Sequence, residues 1–234
     1  MTTDNQGYLL PGLVGLYDPD FKVQCISIPK NASTYIQSES VKYNWKERHI
    51  PLHENISRFI ILRDPYERYL TGVTEDILGL LRLNDLLYLS NNDKEKFIKV
   101  LNKLFASKKK ARVDMNPQFK NIMKGSFIDN RFYFGEHTIT QINHFRLNEY
   151  AFLELYTYFW ATNTLGEDLN VFFHEKGCKS KFSNNKQNVS TNHRETLRLL
   201  IAEFIDNNYD IKLNLLQYLQ PDYNLLKLIK FYNI

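Results

Sequence analysis

Apolar residues in this chain fall into short solid runs and longer runs spaced three and four apart, and the two kinds alternate. "FKVQCISI" reads as a first strand, followed by a helix from about Ser33 to Tyr43. Phe59 to Leu62 is a continuous apolar run of the sort found in strands buried on both faces. Asp64, Pro65 and Glu67 then stand at the N-cap, N1 and N3 positions of a helix. Behind them Tyr66, Leu70, Val73, Ile77 and Leu80 form one apolar face. A further helix is expected over Lys94 to Phe105, and "RFYFGEHTITQ" reads as a strand leaving into a loop. "FLELYTYFW" is a strand candidate with the helix "GEDLNVFFHE" after it. "KGCKSKFSNNKQNVSTN" is the polar stretch long enough for a working loop or lid. Asn192 and Glu195 then cap a last main helix carrying Leu197, Leu200, Ile201, Phe204 and Ile205. Strands alternating with helices predict an α/β layer fold with a mainly parallel sheet. Ligands of such sheets sit at the carboxyl ends of the strands.

Length and composition narrow the picture. A chain of 234 residues supports one substantial core, so a single domain over 1–234 is expected. The formal charge of +4 suits an anionic ligand and does not indicate nucleic acid. The basic run at Lys108 to Arg112 reads as a solvated helix end. Two cysteines make no disulfide framework, and Cys25 lies inside the first apolar strand, which points to a reducing compartment. With no leader-like start and no apolar run of membrane-spanning length, a soluble cytoplasmic protein is expected. No His/Cys/Asp/Glu cluster has metal-site spacing.

Two strand-to-helix turns carry the candidate chemistry, "IPKNAST" and "LRDPYERYLT". Each offers a helix N-terminus and a cation, Lys30 in one and Arg63 in the other. Taken alone, the first reads as an ordinary turn with Ser33 or Thr34 as N-cap. If the two strands are neighbours, the turns lie side by side and can hold two anionic groups of one ligand. The Walker pattern G-x-x-x-x-G-K-[ST] is absent from the sequence, which disfavours a kinase-like or P-loop ATPase reading.

At this point the chain resembles the sulfotransferases that use 3′-phosphoadenosine 5′-phosphosulfate (PAPS). "IPKNAST" is similar to their 5′-phosphosulfate loop, and "RDPYERYLT" to their 3′-phosphate motif R-D-P-x-x-R-x-x-S, with Thr71 in the serine position. "EHTITQ" and "NVSTNHRETLRLLIAEFIDNNYDIKL" are similar to segments of the carbohydrate and membrane-associated branch. The resemblance covers about residues 22–213. It implies a three-layer sandwich with a P-loop-like central sheet, PAPS as sulfonyl donor, the bisphosphate PAP as product, and no metal. The acceptor would be a hydroxyl, on a carbohydrate by the branch resembled. The chain departs from that branch in lacking a membrane anchor and in its short middle.

The same resemblance distributes roles. Lys30 would neutralise charge on the transferring group. Asn31, Ala32, Ser33 and Thr34 would hold the 5′ phosphate, and Arg63 with Thr71 the 3′ phosphate, for which a planar guanidinium fork is suited. Arg68, four residues after Asp64, is expected to pair with it on the helix surface. A general base is needed for the acceptor hydroxyl. His49, in "HIPL", is similar to the segment that carries the base in cytosolic sulfotransferases; His53, Glu54 and His137 are the alternatives. His144, His174 and His193 read as ordinary surface or helix residues. The competing function is a non-catalytic descendant that keeps the pocket and binds a nucleotide or other anion.

Overall fold

The computed structural model describes residues 14–20, 22–28, 30–49, 56–81, 93–106, 131–141, 156–184 and 192–232. Five strands, β1 (Val14–Tyr17), β2 (Val23–Ile26), β3 (Lys46–His49), β4 (Ser57–Leu62) and β5 (Tyr156–Trp160), form one sheet in the order β3-β1-β2-β4-β5. Six α-helices lie among the described residues: α1 (Ser33–Lys42), α2 (Pro65–Leu80), α3 (Lys94–Ala106), α4 (Leu165–Glu175), α5 (Asn192–Asp206) and α6 (Tyr209–Tyr232). None of them is long and apolar enough to cross a membrane.

The α/β class is as expected, but the sheet is mixed, not mainly parallel. β2, β4 and β5 run parallel, whereas β1 is antiparallel to both β2 and β3. The two strands that change the count carry weak signals. β1 is only four residues with a glycine inside, and β3 is Lys-Glu-Arg-His, a charged edge strand of the kind that discourages further pairing. The β1–β2 connection closes on Asp18, whose carboxylate accepts the amides of Asp20, Lys22 and Val23 at 3.3, 2.6 and 2.7 Å.

Other expectations shift. "RFYFGEHTITQ" forms no strand; it is irregular chain around a 3₁₀ turn, Glu136–Thr138. α5 is not the last helix, since α6 adds 24 residues with Pro221 inside it. The basic run 108–112 lies outside the described residues.

By internal contacts the chain divides into two compact units. The first comprises 1–63, 144–189 and 228–234, and contains the whole sheet with α1 and α4. Its core lies on one sheet face, where Val23, Cys25, Phe59 and Ile61 meet Ile36 of α1 and Leu165, Leu169, Phe172 and Phe173 of α4. Phe59 is fully buried among the rings of Trp45, Phe159, Phe172 and Phe173 at 5.7–6.4 Å.

The second unit comprises 64–143 and 190–227. Its core joins Tyr69, Leu70, Val73 and Ile77 of α2 to Phe97, Leu101 and Phe105 of α3, to Leu197, Ile201, Phe204 and Ile205 of α5, and to Leu215, Tyr218 and Leu219 of α6. Each helix contributes residues at three- and four-residue steps, the pattern of an amphipathic face.

Candidate active site

β2 and β4 are parallel neighbours, with Cys25 opposite Phe59 and Ile26 opposite Ile60. The loop from β2 and the last residue after β4 therefore emerge at the same sheet edge. Within the first unit, Asn31 is buried and its Nδ2 donates to Ile61 O at 2.9 Å, tying the Lys30 loop to β4. Arg63 reaches the same loop, with Nη1 3.5 Å from Lys30 O.

The loop itself is strained. Lys30 has φ +66° and Ala32 φ +58°, two left-handed conformations without glycine, flanking Asn31. Each costs about 1–2 kcal/mol relative to a right-handed residue. A backbone whose φ changes sign at successive residues turns its N–H groups toward one side, as in an anion-binding concavity; here the Asn31 amide donates to Ile28 O at 3.1 Å, which leaves the amides that follow it for a ligand. α1 begins at Ser33 on an Ala32 N-cap that supplies no side-chain acceptor. The ordinary reading of this turn, with Ser33 or Thr34 as N-cap, is thereby overturned: both are already inside the helix. Lys30 and Ser33 are half-buried and Thr34 is exposed.

The second turn is built differently. Asp64 has extended φ/ψ and its Oδ1 accepts the amide of Glu67 at 3.0 Å, with Pro65 as the first helical residue, as the sequence predicts. Glu67 meets Arg198 at 3.3 Å. Thr71 Oγ1 donates to Glu67 O at 2.9 Å, the back-bond that helical threonines make. Arg68 does not pair with Asp64 on the surface. It is 1 % exposed and donates to Ile139 O at 2.6 Å, because α2 turns Pro65, Arg68, Tyr69 and Gly72 inward.

Of the proton-acceptor candidates, His49 ends β3 with its backbone opposite Val14. His53 and Glu54, like His144, lie outside the described residues. His137 lies in the 3₁₀ turn of the second unit, with Nδ1 2.7 Å from Asp76 Oδ1 on α2. Asp76 escaped the sequence reading; it lies 61 residues away along the chain, and nothing local marks the pair. His174 is exposed on α4.

The expected lid segment is packed down as far as it is described, to Asn184. Phe182 is buried in the first unit's core, and Trp45 Nε1 donates to Ser180 Oγ at 2.8 Å. Tyr35 donates to Ser183 O at 2.6 Å, and Tyr43 to Lys181 O. Glu39 of α1, 1 % exposed, accepts from Lys42 Nζ at 2.5 Å and from Ser183 N and Oγ at 3.1 and 2.9 Å. Burial alone would raise its pKa, but these donors outweigh burial and hold the carboxyl below the usual glutamate range. Burial pushes the Cys25 thiol well up, which makes it an inert core residue.

Among the described residues no group of three or more His, Cys, Asp or Glu could hold a metal ion. Comparison of the chain with family models, with curated proteins and with solved structures gives no match in any of the three. The functional reading therefore stands on the residues and their geometry.

Proposed function

We propose that this protein is a PAPS-dependent sulfotransferase acting on a hydroxyl acceptor, with a carbohydrate as the acceptor class. The observation that carries the reading is the Lys30 loop. A strained, alternating backbone, a lysine and a helix start without a side-chain cap stand together beside Arg63 at the end of two adjacent parallel strands.

In this reading the amides from Ala32 to Thr34 and the Ser33 and Thr34 hydroxyls hold the 5′ phosphate, while the Asn31 amide, expected among them, instead donates to Ile28 O at 3.1 Å and shapes the loop. Lys30 faces the sulfonyl group and the bridging oxygen, where negative charge grows as the leaving phosphate departs. Arg63 takes the 3′ phosphate through its two-pronged guanidinium. PAPS supplies the sulfonyl group; the protein positions it and stabilises the developing charge. The acceptor's proton goes to a side chain from the set His49, His53, Glu54 and His137, of which the resemblance favours His49.

Transfer of labelled sulfate from PAPS to a panel of glycans, lipids and tyrosine peptides tests the activity. Product on a glycan supports the reading. Tight PAP binding with no product on any acceptor would replace it with the non-catalytic alternative.

A further inference from the structure

Between the two left-handed residues of the Lys30 loop lies a polar side chain turned into the protein. Asn31 is 2 % exposed, whereas its neighbours Lys30, Ala32 and Ser33 are half-buried and Thr34 is exposed. Its backbone N–H donates to Ile28 O at 3.1 Å and its Nδ2 to Ile61 O at 2.9 Å. The residue that the sequence places among the phosphate contacts is thus committed to the fold.

Ile61 O is an acceptor that the sheet leaves open. The pairing of β2 with β4 ends at Ile26 opposite Ile60. Leu62 O accepts Ala161 N at 2.9 Å on the β5 side. Carbonyls alternate sides along a strand, so Ile61 O faces the side that β2 has just left. Asn31 Nδ2 fills the place of the next rung, where an unpaired buried carbonyl would be costly. The bridge also closes a short circuit within the first unit. From Ile61 the chain runs through Leu62 to Arg63, whose Nη1 is 3.5 Å from Lys30 O. Strained conformations persist where their surroundings over-determine them. Asn31 is the fixed point between Lys30 at φ +66° and Ala32 at φ +58°.

We infer that Asn31 is the positioning residue of the phosphate loop, an assignment that rests on the sulfotransferase reading. It touches no ligand. It braces the strained turn on β4 and so sets Lys30 and the amides of Ala32, Ser33 and Thr34 for the 5′ phosphate. Without the bridge the loop relaxes into conformations that do not bind, and apparent affinity falls with the competent fraction. Arg63 follows β4 directly and keeps its own anion, so the loss is confined to one end of the nucleotide.

The test uses the full chain and two monophosphates, AMP for the loop and adenosine 3′-monophosphate for Arg63, each titrated by calorimetry. In Asn31→Ala, AMP should bind about two- to twelvefold more weakly, the scale of one lost hydrogen bond. Adenosine 3′-monophosphate should bind as it does to the wild type, a split that general loss of structure would not produce. A second measurement needs no variant. In the wild type, AMP should shift the backbone amide NMR signals of Ala32, Ser33 and Thr34, while the Asn31 side-chain amide stays protected from hydrogen exchange with and without the nucleotide. If Asn31→Ala does not fold, this measurement decides. Unchanged AMP affinity in the variant overturns the assignment, as does equal weakening of both nucleotides or an Asn31 side-chain amide that exchanges freely before AMP is added. A wild-type protein that binds neither nucleotide overturns the nucleotide reading itself.

Discussion

At the end of β4 the chain caps its own helix, whereas at the end of β2 it leaves the helix start uncapped. Asp64 accepts the Glu67 amide in relaxed extended geometry, and Pro65 follows at the position where a missing N–H costs nothing. In the other turn, Lys30 and Ala32 keep positive φ where glycine would relax both, and the N-cap is an alanine. The first arrangement is what stability alone selects. The second spends conformational energy on two left-handed residues at an uncapped helix start, and an observed outlier of that kind points to a ligand.

The largest expected effect is on turnover. Lys30→Ala should slow PAPS-dependent transfer by about 10²–10³-fold, the scale of losing one preorganised charge-stabilising donor. Its melting temperature should stay near wild type, because Lys30 is only half-buried. An unchanged rate would make the open turn a structural oddity.

Behind that turn, α1 is anchored by Glu39, so Glu39→Ala should destabilise the protein by about 1.5–3 kcal/mol in urea unfolding at neutral pH. Its folded pKa is lowered, so this contribution is complete above the unfolded value of about 4.3 and is lost as pH falls through the folded value. The gap between wild type and variant should therefore close in acid; a gap that widens there would refute the anchoring.

Asp64→Ala should cost about 0.5–2 kcal/mol, as removal of an N-cap does. The smallest effect is Ala32→Gly, expected between neutral and about 1 kcal/mol stabilising, since relief of the left-handed strain offsets the extra chain entropy. A clear destabilisation would show that the Ala32 Cβ packs usefully and that the loop is not under strain.

The legible parts of the fold were those with a strong local signal. The solid run at Phe59–Leu62, the steps along α2, α3 and α5, and the Asp64-Pro65 start all declare themselves within a few residues. β3 does not, because Lys46–His49 is held as a strand by β1 and has no apolar pattern of its own. Arg68 was misplaced because spacing from Asp64 says nothing about the carbonyl of Ile139 that receives it. At the candidate site, Lys30 and Arg63 were visible as residue types, and the pairing of β2 with β4 fulfilled the condition set for them. The positive φ of Lys30 and Ala32 was not visible because neither residue type marks it, and the Asp76–His137 pair was not visible because its partners lie 61 residues apart.

The central claim is that the open turn and Arg63 together hold a nucleotide with two phosphate groups. Titration calorimetry with adenosine 3′,5′-bisphosphate and with AMP tests it without any acceptor. The 3′ phosphate adds charge-assisted hydrogen bonds of about 1.5–3 kcal/mol. The bisphosphate should therefore bind roughly ten- to a hundredfold more tightly than AMP, and Arg63→Ala should erase most of that difference. Equal affinities for the two nucleotides, or a preference that survives the loss of Arg63, would contradict the account.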